Sequence, residues 1–253
     1  MCLIVFAYNT HPHYRLILIS NRDEFYQRPT EPLHIWQDKK IVAGRDLQSM
    51  GTWLGINSNR YVAALTNFRD PKSLKPNTPS RGELVCSWLM AQNTNTWMNE
   101  LPKQSSHYNG FNLLFCDLTH CYYFSNQTNF IQCLNPGIYG LSNHLLDTPW
   151  PKLKKAKASF TQFLDSNPSL DIEHLFTLLL NTDTAKECDL PDTGVGIEWE
   201  RILSSMFIIS NIYGTRSSSI VLIPHQGNIQ FIERTYYIEQ KQIVAKQTVH
   251  IAI

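Results

Sequence analysis

Unbroken apolar runs, not alternating ones, mark the first third of the chain. CLIVFAY, Cys2–Tyr8, and RLILIS, 15–20, flank the polar stretch NTHPHY. Shorter runs at 41–43, 52–57 and 60–66 are separated by Gly and Asn turn signals. Such runs predict strands buried on both faces. Ser80-Arg81-Gly82-Glu83 then spells a capping box ahead of Leu84, Val85, Trp88 and Leu89 at helical spacing. A second helix is predicted at 96–101, and strands return at 111–117, 121–125, 130–133 and 139–142. DTPWPKLKKAKASFTQFL opens a longer helix, with Thr148 as cap and Pro149 in the first turn. Its apolar stripe is Leu153, Ala156, Phe160 and Phe163, and its basic run KLKKAK reads as a solvated face. A helix at 172–180 and strands at 206–210, 218–223 and 229–238 complete the pattern.

The order is strands, helices, strands, helices, strands. Short turns between strands imply antiparallel sheets, and sheets buried on both faces need covering layers. The expected fold is α+β, a four-layer αββα sandwich, with one domain over residues 1–253. No repeat, low-complexity segment or linker divides the chain.

Composition narrows the function classes. Apolar content of 43% and charged content of 17% are those of an ordinary globular protein. A net charge of +1 gives no footprint for nucleic acid. The first apolar run is too short and wrongly flanked for a signal peptide or a transmembrane segment, so a cytoplasmic location is expected. Six cysteines without a CxxC pair read as reduced thiols, not a disulfide framework. The sequon Asn126-Gln127-Thr128 carries little weight without a secretion signal. His11 and His13 have no further ligands at metal-site spacing, and PDTGVG lacks the strand–turn–helix context of a dinucleotide loop. No metal and no cofactor is expected.

Candidate chemistry begins at Cys2. A hairpin centred between His11 and Pro12 pairs residues whose numbers sum to about 23, within one or two. Cys2 then faces Asn21, with Asn21 and Asp23 on one side of the strand and Arg22 and Glu24 on the other. Loss of Met1 would leave Cys2 with a free α-amine of pKa about 7.7–8.0, beside a thiol of about 8.5. Such an amine can take the thiol proton and later give it to a leaving group. A nearby Arg favours the thiolate, and a carboxylate can hold the ammonium or the Arg. The plain alternative is a small core residue beginning a strand. Hydroxyl–Asn pairs end four predicted strands, at Asn21, Asn67, Asn143 and Asn211. Asn is a common turn former, but two convergent Asn side chains would also serve a developing oxyanion. Arg216, after a Gly-containing turn, could project over a site edge or simply be solvated.

Taken in order, MCLIVFAY, SNRDEF, AGRDLQSMGTWLGIN, ALTNFRDP, SRGELV, YGLSNHLLDTPWPKL, LPDTGVGIEWER and YGTRSSSIVLI resemble the NRDE family. Its eukaryotic members are called transport and Golgi organization protein 2 homologs. That family in turn is similar to the N-terminal nucleophile hydrolases of the choloylglycine hydrolase and penicillin acylase group. The resemblance implies Cys2 as nucleophile after Met1 removal, acting on an amide-linked acyl group. Arg22 and Asp23 would support it, Asn67 and Asn143 would be the polar and oxyanion asparagines, and Arg216 the late Arg. Asn21 and Glu24 would meet the substrate. In those hydrolases the Arg and Asp are separated, whereas Arg22 and Asp23 are adjacent, so both reach Cys2 only if the chain bends. The alternative implied by the family is a carrier that binds a lipid, acyl-CoA or haem on the same fold.

Overall fold

The computed structural model describes residues 2–166, 169–240 and 242–253. Two antiparallel sheets stack face to face. The first has the order β10 (Gly137–Leu141), β1 (Cys2–Tyr8), β2 (Tyr14–Phe25), β11 (Tyr213–Pro224), β12 (Gln230–Glu239) and β13 (Gln242–Ala252). The second is a meander in chain order: β3 (Thr30–Trp36), β4 (Ile41–Asp46), β5 (Leu54–Asn57), β6 (Val62–Asn67), β7 (Phe111–Cys116), β8 (Cys121–Ser125) and β9 (Phe130–Cys133).

Each central strand is buried on both sides, which is why its sequence is apolar throughout. Ile4, Phe6, Leu16 and Leu18 point between the sheets and meet Val42, Leu54, Ile56 and Ala64. Leu3, Val5, Ile17 and Ile19 point outward and meet Leu153, Ala156 and Phe160 of α3 (Pro151–Ser166), with Leu175 and Phe176 of α4 (Ile172–Leu178). Over the second sheet, Ala63, Phe111 and Phe115 meet Val85 and Trp88 of α1 (Gly82–Leu89) and Leu101 of α2 (Thr94–Gln104). The four-layer αββα sandwich is therefore present. Each fully buried large side chain here contributes about 1.5–3 kcal/mol.

Several local expectations fail for identifiable reasons. β3 carries Pro32 at a register shift on a sheet edge, and β13 is a polar edge strand; neither has an apolar run to announce it. The segment 206–210 contributes only an isolated bridge, Ile209 to Gly214. A short helix, α5 (Ile197–Ile202), was not predicted. The capping box is not made: Arg81 precedes α1 in helical conformation without a side-chain cap, and Glu83 instead accepts from the Tyr108 hydroxyl at 2.5 Å. Thr148 does not cap α3, since its hydroxyl donates to the Leu145 carbonyl, and the helix starts at Pro151. The cysteines are not all reduced. Cys116 and Cys121 form a disulfide because the β7–β8 hairpin sets them directly opposite each other. A spacing of five around the turn DLTH was the available signal.

Candidate active site

The β1–β2 hairpin pairs Cys2 with Arg22 and Leu3 with Asn21. This is one residue away from the expected register, and a one-residue slip exchanges the faces. Cys2 and Arg22 share the face between the sheets, while Asn21 and Asp23 turn toward the helices.

On the inner face, Cys2 is 7% exposed and lines a cavity of about 260 Å³ between the ends of the sheets. Arg22, Asp23, Glu24, Trp53, Asn67 and Arg81 also line it. The Arg22 guanidinium lies 4.2 Å over the Trp53 ring, and its Nη1 has no hydrogen-bond partner. That ring fits only because residue 44 is glycine: a Cβ there would run into the indole. Arg81 donates to the Gly110 carbonyl at 3.0 Å, and Arg28 at the rim pairs with Asp46 at 2.7 Å. Burial pushes the Cys2 thiol up; among the described side chains Asp23 adds to that rise and Arg22 opposes it.

On the outer face, Asn21 is fully buried and structural. Its amide donates to the carbonyls of Leu179 and Met206 at 2.9 and 2.8 Å and accepts from Ser218 Oγ at 2.6 Å. Asn21 does not line the cavity, so its expected substrate contact is not formed; the slipped register places it among helices. Asp23 accepts from the Thr215 hydroxyl at 2.6 Å, and its carbonyl accepts from Tyr213 at 3.0 Å. Burial raises the Asp23 carboxyl, and Lys152 lowers it.

Adjacent Arg22 and Asp23 thus hold the site from opposite faces of β2, and the bend falls on its neighbour. β11 pairs Thr215 with Asp23 and Ser217 with Arg22, leaving Arg216 as the extra residue of a bulge. Arg216 donates to the carbonyls of Phe25 and Arg28 at 2.9 and 3.1 Å. It lines a second cavity of about 140 Å³, on the other side of the Arg22–Trp53 stack, rather than the cavity of Cys2. Asn143 is fully buried, and its amide donates to the Asn67 carbonyl at 3.0 Å. Ser142 Oγ beside it donates to the Cys2 carbonyl at 3.3 Å. Of the two asparagines, Asn67 faces the cavity and Asn143 fixes the backbone behind it. Asn211 is exposed in the turn before β11.

The Transport and Golgi organisation 2 family profile matches residues 1–238. The chain belongs to this family. Relatives include Transport and Golgi organization protein 2 homologs of Bos taurus and Homo sapiens, each 35% identical over 257 residues, covering 93% of both chains. Among solved structures, a conjugated bile acid hydrolase from Clostridium perfringens superposes with a TM-score of 0.55 at 10% identity, covering 100% of this chain and 92% of that one. That likeness is one of fold, an N-terminal nucleophile hydrolase fold.

One buried polar residue of this family member runs against its sequence pattern. Lys152 was read with the solvated basic face, yet it is 4% exposed. It falls four and eight residues before Ala156 and Phe160, on the buried stripe. That spacing was the signal. Arg69 and Glu200 form a buried pair at 2.8 Å nearby, linking the loop after β6 to α5. Among the described residues, no cluster of three His, Cys, Asp or Glu could hold a metal, and no helix is long and apolar enough to cross a membrane.

Proposed function

We propose that this protein is an N-terminal cysteine hydrolase or acyltransferase acting on an amide-linked acyl small molecule. The observation that carries the reading is the Cys2 thiol at the head of β1, opening on the 260 Å³ cavity beside Arg22 and Asn67. Removal of Met1 gives residue 2 a free α-amine. The thiol proton passes to that amine, and the sulfur attacks the acyl carbon. Asn67 and neighbouring backbone N–H groups stabilise the oxyanion, with Asn143 holding the Asn67 backbone in place. The C–N bond breaks and the leaving amine takes the proton. Water then adds its oxygen to the acyl carbon, the C–S bond breaks, and the remaining proton returns to sulfur. An amine or alcohol in place of water gives transfer instead of hydrolysis. Arg22 counters the burial that raises the thiol, and Asp23 holds the ammonium form of the amine. Glu24 and Arg81 meet the polar part of the substrate. In this reading Arg216 acts from the second cavity.

Intact mass of the purified chain, with turnover of a panel of N-acyl amides by wild type and Cys2→Ala, tests this. The expected result is a chain without Met1 and turnover that vanishes in Cys2→Ala. Retained Met1, or equal turnover by both proteins, overturns it. One observation favours a second reading: a thiol raised by burial suits a binding site that needs no nucleophile. A lipid, acyl-CoA or haem carrier would bind its ligand with undiminished affinity in Cys2→Ala and turn nothing over.

A further inference from the structure

Regular strand pairing breaks in several places, and three of the breaks meet around one cavity. β3 slips against β4 between Glu31 and His34, β11 against β2 between Thr215 and Ser217, and β12 against β13 between Thr235 and Tyr236. Pro32, Arg216 and Lys246 fall in these breaks, and all three line the second cavity, of about 140 Å³. A bulge re-aims the side chain of its extra residue, and two of these three residues are cations. A third cation, Arg22, lines the same cavity at 5% exposure. It rests on the Trp53 ring, makes no ion pair among the described residues, and leaves Nη1 unbonded. Arg216 uses only Nη1, on two backbone carbonyls. Lys246 is exposed and pairs with no carboxylate among the described residues. The one carboxylate of the lining, Glu233, is already engaged: Oε1 accepts the Leu33 N–H at 2.8 Å and Oε2 the Ser217 hydroxyl at 3.1 Å. Three cations therefore line a cavity that offers them one occupied anion.

We propose that this second cavity is a binding site for a monocarboxylate, held by Arg22, Arg216 and Lys246. A buried guanidinium without a carboxylate is costly, and a bound one offsets that cost. The planar guanidinium fork matches a carboxylate in particular. Pro32 and Trp53, in the same lining, give an alkyl chain an apolar surface. Glu233 sets the charge of the ligand. Both of its hydrogen bonds suit the ionised carboxylate, and its negative charge disfavours a dianion such as phosphate more than a monoanion. The carboxylate has two possible sources. One is a free short-chain acid. The other is the far end of an acyl ligand whose near end lies at Cys2, since Arg22 and Trp53 line both cavities. Only the second source rests on the N-terminal nucleophile reading above.

The test is calorimetric titration of the full-length chain with butyrate at neutral pH, replacing chloride so that ionic strength stays constant. Butyrate should bind with a Kd of about 1–10 mM. Arg216→Gln should weaken it about tenfold and Lys246→Gln, at an exposed position, about threefold. Lys103→Gln, which removes an exposed charge paired with Glu100 on α2, should change nothing. Urea midpoints report that each variant is folded. If Arg216→Gln does not fold, Lys246→Gln on the edge strand carries the expectation. Phosphate should bind about tenfold more weakly than butyrate, and Glu233→Gln should narrow that gap. No butyrate binding, an affinity unchanged in both Arg216→Gln and Lys246→Gln, an equal loss in Lys103→Gln, or phosphate bound as well as butyrate each overturn the proposal. Turnover of N-acyl amides with and without a terminal carboxylate separates the two sources. A carboxylate belonging to the substrate lowers KM for the carboxylated amide, and Arg216→Gln raises that KM alone. Equal KM values with butyrate still bound assign the site to a free acid. Butyrate binding without turnover of any amide sinks the N-terminal nucleophile reading and leaves the site standing.

Discussion

The two sheets bury their outer faces differently. Over the second sheet, Trp88 packs edge-on against Trp97 and Phe115 with centroids 5.0 and 4.8 Å away, and its Nε1 donates to the Cys116 carbonyl. The polar group nearby, Asn57, donates to the Leu89 carbonyl, as a packed interior requires. Over the first sheet the layer begins alike, with Leu3, Val5 and Ile17 against Phe160 and Phe176. Toward Cys2 it changes to Asn21, Asp23, Lys152, Arg69 and Glu200. Stability alone would have continued the apolar layer. The cluster of buried charge at the end that carries the thiol favours that end as functional.

The largest effect that separates the two faces is Trp88→Ala. It should cost about 4 kcal/mol in urea unfolding, while the pH curve of Cys2 alkylation stays in place below the unfolding transition. Asn21→Ala follows, at about 3 kcal/mol, because the Leu179 and Met206 carbonyls lose their donor in a buried place. Lys152 gives a pH signature that the aromatic face lacks. Its folded pKa of about 8 lies below the ordinary 10.5, so between those values the unfolded chain binds more protons and stability rises with pH. Wild type should gain about 2–3 kcal/mol relative to Lys152→Met between about pH 7 and pH 10, by urea unfolding at each pH. The smallest effect belongs to the inner face. Arg22→Gln removes the guanidinium that opposes the burial shift of the thiol. Cys2 alkylation at neutral pH should slow about fivefold, with little loss of stability.

The layered fold was legible because strands buried on both faces write themselves as unbroken apolar runs. β1, β8 and β9 have the expected boundaries. The strands β3 and β13 were not legible, since Pro32 interrupts the one and polar residues break up the other. At the site, Cys2, Arg22 and Asn67 were named from sequence and meet at one cavity. Arg216 and Asn21 were named with them but face elsewhere, one bulged out of β11 and the other turned into the helix layer.

Sequence by itself determined which residues could do chemistry: a thiol at position 2, an Arg–Asp pair at the end of β2, and asparagines at strand ends. It also determined that two sheets must be covered by helices. Only the tertiary structure decided the faces, because a shift of one residue in a hairpin moves every side chain to the other side. That register set Arg22 opposite Cys2, with the Asp23 carboxylate held by Thr215 at the edge of the same cavity. Only packing decided that Lys152 is buried, because periodicity specifies a direction on a helix and the neighbouring sheet decides what lies there.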